Sequence, residues 1–546
     1  MPRPLTSPFS PALRLLLPCA LLATAPLAGP TAWAQTASAP RQHPPADHPA
    51  AAWWRHVEVL ADDSLRGRDT GSPGHESASR YIAQQFEKAG LRPAGTDGWF
   101  QRVRFVEVGL DAAKVSISIN EGGRWSELAL GGDLRITPRP ATGDVNAPLV
   151  FAGYGLSLPQ AGVDDLAGLD VRGKIVVYVN AVPSGLTAPL QAHGSRSRWT
   201  AMRAAGAVGA IALATGTSWN AQARTGTTVS LEDAALDDAA GQRIFAAASP
   251  ALTARLFAGS AMAWDSVQAM AQRGVRLPTG PLAVSLRATL PVQRRSFTSP
   301  NVVGIVSGTD PQLAREIVVY TAHSDHVGTV HGGAAGGDSI FNGAMDNASG
   351  TATLIETARL VAARGGNRRT LAFVAVTAEE KGLLGSRHFA THPSFRDGRV
   401  VADLNTDMFL PLVPLTGVFA YGYDESDLAD DLDAAVKARG LAVFTDPQPE
   451  ENRFVRSDQY SFIRQGVPAL AFKVGYRTGT PEEQTWLAWV RDHYHKVSDD
   501  TTQPVNFDAA AAFNALYAEL ALRVANRAQR PAWRAHSFFA TPPGEP

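Results

Sequence analysis

A chain of 546 residues is too long for one compact core, and 45% hydrophobic with 18% charged residues is the profile of a globular protein, not a disordered one. The formal charge of −1, without a long basic run, gives no footing for a nucleic-acid partner.

The first element is an export signal over residues 1–34. Arg3 and Arg14 precede an apolar run from Leu15 to about Ala28, and Ala32-Trp33-Ala34 places small residues before a cut at Gln35. The run is too short for a membrane span, so the mature chain carries no transmembrane segment and is expected in the periplasm or secreted. Its removal takes away two arginines and no acids, lowering the formal charge from −1 to −3. The only cysteine, Cys19, leaves with it, which excludes disulfides and thiol chemistry. Only 7 of the 50 basic residues are lysine, a bias associated with GC-rich bacterial genomes.

Residues 35–50 are rich in Pro and Ala and read as a flexible leader. Helical spacing begins at Ala51. In the stretch SLRGRDTGSPGHESASRYIAQQFEKAG, Ala78, Tyr81, Ile82 and Ala89 recur at helical intervals, with Pro73 suited to the first turn and Gly90 to the stop. Residues 51–142 therefore open one domain. Residues 143–291 differ: short β-like runs at 148–154, 174–180 and 206–214, with a helix near 198–205, predict an inserted β-rich α/β unit. No His/Asp/Glu cluster there suggests chemistry. Residues 292–530 alternate strands (302–306, 317–321, 371–376, 401–404, 469–474) with helices (350–363, 427–439, 507–525). That pattern predicts an α/β fold with a mostly parallel, doubly wound sheet. Residues 531–546 form a C-terminal tail.

In such sheets functional groups collect beyond the carboxyl ends of the strands. There lie Ala322-His323-Ser324-Asp325-His326, then Glu379-Glu380, then Asn405-Thr406-Asp407. Asp346 precedes a helix after the Gly-rich run GGAAGG, and Asp492-His493-Tyr494-His495 follows a further run with strand character. Singly, each has an ordinary explanation: a loop hydrogen bond, a helix cap, a solvated acid pair. Jointly, neutral imidazoles with carboxylates make a ligand set for Zn²⁺, with Mn²⁺ or Co²⁺ as alternatives. Two histidines and three carboxylates exceed what one ion takes and suit two ions sharing a bridging carboxylate. Adjacent Glu379 and Glu380 point in opposite directions on extended backbone, so they can divide ligand and base roles. Spacing alone does not say which does which. GGAAGG lacks a following Gly-Lys-Ser/Thr and is no phosphate loop. His331, His388 and His392 read as ordinary histidines, and His326 and His493 as rival imidazoles left out of the site.

AHSDHVG, NGAMDNASG, TAEEKGLLGS, LNTDMF and YHKVSDD, in that order, resemble the M28 zinc aminopeptidases. LADDSLRGRDTGSPG resembles that family's opening segment, and FAGYGLS, DLAGLDVRGKIVVYV and AAGAVGAIA its inserted protease-associated (PA) domain. The resemblance implies the zinc-peptidase fold, two Zn²⁺ ions per chain and a peptide substrate with a free N-terminus. It implies that Asp346 bridges the ions, with His323 and Asp407 on one and Glu380 and His495 on the other. It further implies Glu379 as general base, Asp325 as the carboxylate orienting His323, and Tyr494 as an oxyanion donor. The expected function is an exported aminopeptidase. The alternatives are a carboxypeptidase or other amidohydrolase on the same fold, or a non-catalytic, receptor-like binding protein, which would lack the base or a ligand.

Overall fold

The computed structural model describes residues 43–540 apart from 217, 221–225 and 331–336. The expected export signal, His331 and most of GGAAGG thus lie outside the described residues. Two sheets organise the chain. The larger has ten strands, in the order Thr228–Leu231, Phe100–Leu110, Val292–Val306, Thr370–Val376, Glu316–His323, Arg399–Asn405, Ala469–Val474, Gly417–Tyr421 and Ala442–Phe444. Arg92–Pro93 pairs beside Val292–Val306.

Parallel pairing holds through the centre, from Thr370–Val376 to Ala469–Val474. It does not hold at the flanks. Val292–Val306 runs antiparallel to both its main neighbours, and Gly417–Tyr421 is antiparallel to Ala469–Val474. The expected mostly parallel sheet is therefore a mixed one with a parallel core. On one side the cause is topological: Phe100–Leu110 leads out of this sheet and Val292–Val306 leads back, so the two pair as the stem of a long excursion.

Alternation along the central strands buries both faces. Val318, Tyr320, Leu371 and Phe373 face helices Ala51–Leu60, Pro73–Lys88, Ser349–Arg364 and Phe507–Asn526, while Val319, Ala372 and Val374 face Leu384–Thr391 and Gln459–Ile463. Helices thus cover both faces, as expected. Pro73 opens its helix behind a Ser72 cap.

The second sheet has eight strands, with Val145–Ala152, Ile175–Val179, Gly209–Leu213 and Ile244–Ala248 as a parallel block. Helix Ala188–Ala204 packs on one face through Trp199 and Met202, and Pro250–Phe257 and Trp264–Gln272 cover the other. This unit begins earlier than the expected 143. Ser116–Glu121, Arg124–Glu127 and Leu134–Ile136 already belong to it, because Ser116–Glu121 pairs with Thr279–Thr289. Conversely Thr228–Leu231, inside the expected insert, pairs with Phe100–Leu110 as the edge of the larger sheet.

Neither terminal segment is loose where described. His48 contacts Asp508 at 3.1 Å and Ala50 is buried, so the end of the expected leader is packed. In the tail, Phe539 is buried and Trp533 donates its indole N–H to the Gly466 carbonyl. Among the described residues no helix is long and apolar enough to cross a membrane.

Candidate metal centre

Three neighbouring parallel strands end in register. His323 pairs with Val376, and Thr321 with Asn405, so the loops after them carry His323, Glu379–Glu380 and Asp407 to one edge. Asp346 comes from the turn ahead of helix Ser349–Arg364. His495 comes from the loop after helix Pro481–Asp492, where the sequence suggested a strand.

The cluster divides at Asp346. Its Oδ1 lies 3.4 Å from His323 Nε2, which is also 3.4 Å from Asp407 Oδ1. Its Oδ2 lies 3.0 Å from His495 Nε2, which is 3.2 Å from Glu380 Oε1. One carboxylate thus faces two donor groups, one per oxygen. Ligands about 2.0 Å from a tetrahedral Zn²⁺ stand about 3.3 Å apart, so these separations and the imidazole–carboxylate chemistry fit an ion in each group. Asp407 Oδ1 is buried without a hydrogen-bonding partner, as a ligand awaiting a cation would be.

Electrostatics agree. Burial opposes charge on both imidazoles, yet Glu379, Asp346 and Asp407 hold His323 well above its ordinary value. Asp346 and Glu380 likewise push His495 up to about 10. Burial also disfavours the Asp346 carboxylate, but His323 and His495 outweigh it and hold Asp346 well below the usual range. The acids attract positive charge to this spot.

Glu379 lines the same cavity and differs from its neighbour. Burial, then the charges of Glu380 and Asp407, raise its carboxyl well above the ordinary value against the pull of His323. The Tyr494 ring stacks on His495 with centroids 4.1 Å apart, and burial beside Asp346 and Asp407 keeps its hydroxyl protonated. His326, set aside on sequence, belongs to the cluster: its Nδ1 lies 2.8 Å from Glu380 Oε1. His493 does not, since its Nδ1 bonds the Ser498 carbonyl.

Asp325 is placed differently from expectation. His323 Nδ1 donates to the Asp325 backbone carbonyl at 3.1 Å, which aims Nε2 at the acids. The Asp325 carboxylate instead accepts from the Thr70 hydroxyl and the Glu379 backbone N–H. It clamps the Glu379 loop, and its expected contact with the imidazole is made by its own main chain.

Further residues hold the loops. Asn347 accepts from Gly350 and Met408 N–H and donates to the Thr406 carbonyl, joining the Asp346 turn to the Asp407 loop. Asp499 accepts from the Met345 and Asp346 N–H groups. Arg68, fully buried, donates to the carbonyls of Leu60, Ser324, Asn342 and Gly343. Only the wording SLRGRDTG hinted at Arg68, and spacing gave no sign of Asn347. Left-handed backbone at Ala378 (φ 58°), Met408 (φ 51°) and His495 (φ 53°) adjoins the key side chains. Such conformations cost about 1–3 kcal/mol each in non-glycine residues and cluster at functional sites.

Residues 301–521 match Peptidase family M28. Among curated proteins, the chain is 35% identical over 112 residues to "Aminopeptidase YwaD" of Bacillus subtilis (strain 168), covering 20% of this chain and 22% of that one. It is 32% identical over 158 residues to "Leupeptin-inactivating enzyme 1" of Streptomyces exfoliatus, covering 27% and 34%. The match therefore spans about a third or less of those relatives. Among solved structures, an aminopeptidase from Aneurinibacillus sp. strain AM-1 is 19% identical over 86% of this chain and 92% of its own, with a TM-score of 0.47. BSAP, a zinc aminopeptidase from Bacillus subtilis, is 19% identical over 88% and 95%, with a TM-score of 0.42.

Proposed function

We propose, from the match of residues 301–521 to Peptidase family M28, that this chain is an exported two-zinc aminopeptidase acting on peptides with a free N-terminus. The observation that carries the reading is the division of Asp346 between two imidazole–carboxylate groups. His323 and Asp407 would hold one ion and Glu380 and His495 the other, with Asp346 shared. Bound there, the ions supply Lewis acidity that brings a water pKa from about 15.7 toward about 7.

The chain's own residues do the rest. Glu379, whose burial and acidic neighbours raise the proton affinity of its carboxylate, is suited, once cations at the site favour its ionised form, to take a proton from the attacking water and pass it to the leaving amine nitrogen. The Tyr494 hydroxyl donates to the carbonyl oxygen as negative charge develops there. Asp325 keeps the Glu379 main chain in place through the N–H bond.

The second sheet is read as a PA-like domain that narrows access to the cleft. Its support is the way it docks. Asp238 accepts from Arg464 and pairs with Arg387, and His193 Nδ1 lies 2.8 Å from the Tyr460 hydroxyl. The export reading rests on the N-terminal 34 residues.

The test uses residues 35–546, washed and assayed for bound metal, then offered aminoacyl chromogenic substrates and their N-acetylated forms. Two zinc equivalents and cleavage of the free-amine forms alone are expected. Equal cleavage of both would move the assignment to another amidohydrolase; metal-free protein with chelator-insensitive activity would end the two-zinc reading.

A further inference from the structure

Beside the metal centre, the cavity holding His323, Asp346 and Asp407 is also lined by Lys473, Tyr421 and Trp486. Lys473 lies on strand Ala469–Val474 and Tyr421 on its antiparallel neighbour. The register pairs Tyr421 with Ala471 and Phe419 with Lys473, so Lys473 and Tyr421 are diagonal neighbours on one face. Trp486 reaches the cavity from helix Pro481–Asp492.

All three are donors without acceptors. The Tyr421 hydroxyl and Trp486 Nε1–H are buried and unpartnered, and Lys473 makes no hydrogen bond or ion pair among the described residues. The nearby arginines are already engaged. Arg453 donates to Gln448 and lies over the Trp486 ring, and Arg456 pairs with Glu451 at 2.7 Å. Buried donors are nearly always satisfied, so two orphaned donors lining one cavity with an amine that makes no hydrogen bond there point to an acceptor brought by a ligand. Lys473 also favours the ionised Asp407, but that role leaves the phenol and the indole unexplained. A carboxylate, acceptor-only with two oxygens and several lone pairs, serves all three.

We propose that Lys473, Tyr421 and Trp486 form a carboxylate-recognition subsite beside the metal centre, selecting peptides with an acidic group close to the scissile bond. That group is either the side chain of an N-terminal Glu or Asp or the C-terminal carboxylate of a dipeptide. The substrate class rests on the peptidase reading; the subsite itself does not.

The test measures binding by calorimetry on the zinc-loaded full mature chain, using L-glutamate against L-glutamine and, with the scissile amide reduced to a non-hydrolysable CH2–NH link, Leu-Leu against Leu-Leu-amide. One member of at least one pair, the carboxylate, should bind about tenfold to a hundredfold tighter, the range of a charge-assisted hydrogen bond. Glutamate preference assigns the side chain, and free-dipeptide preference assigns the C-terminus. Lys473→Met should abolish the discrimination while keeping both metals, and Tyr421→Phe should reduce it. Wild type that discriminates neither pair, or discrimination that survives Lys473→Met, overturns the subsite. Carboxylate preference without hydrolysis of any aminoacyl substrate would instead end the peptidase reading and leave the subsite standing.

Discussion

Glu379 and Glu380 are adjacent, yet only Glu380 lies against the imidazoles of His326 and His495. Glu379→Gln should therefore keep both metals and lose about 10²–10⁴ in turnover, since an amide still accepts a hydrogen bond but takes no proton. Glu380→Gln should weaken one metal, with partial recovery in excess zinc. Elemental analysis beside kinetics separates them, and metal loss in the Glu379 variant would exchange the roles. Asp346→Ala should release both ions, because its two oxygens face different groups; loss of one alone would count against bridging. At this scale the ligand types were legible because their chemistry is unusual at strand ends. His326 was not, since His323 and His326 are equivalent in the wording HSDH and only the chain's turn sends both to the acids.

Among the elements, the contact between the second sheet and the layer around the larger one includes Asp238, held by Arg387 and Arg464. Burial works against its carboxylate, but the two arginines outweigh it and hold it below the usual range. A depressed folded value stabilises fully above the unfolded pKa near 3.9 and is lost as pH falls through the lower folded value. Asp238→Asn should cost about 1–2 kcal/mol, discounted for partial exposure. The gap from wild type should be constant above about pH 5 and close below about pH 4, as read by denaturant melts across pH. A gap unchanged at pH 3 would remove Asp238 from the interface account. The central strands were readable as unbroken apolar runs. The insert's start was not: the alternating residues of Ser116–Glu121 look like any half-buried strand, and their partner Thr279–Thr289 lies far along the chain. The antiparallel flank was hidden for the same reason, since the first half of Val292–Val306 is polar and exposed.

For the molecule as a whole, three carboxylates and three imidazoles converge at the meeting point of five loops, so cation binding should brace all of them together. Chelation should lower Tm and zinc should restore it; at 100 times Kd the linkage is worth about 2.7 kcal/mol. A melting curve indifferent to chelator and to zinc would contradict this. The shared edge of the larger sheet has a different consequence, in the order of synthesis. Phe100–Leu110 leaves the ribosome well before either neighbour, Thr228–Leu231 or Val292–Val306. At about 5–20 residues per second its second partner arrives roughly 10–40 s later. Until the first arrives, an eleven-residue strand, with Val103, Phe105 and Val108 destined for burial, has both of its backbone edges open, and one edge stays open until the second arrives. The nascent chain thus carries its greatest hazard of pairing with a stranger during the interval in which the second sheet is being made.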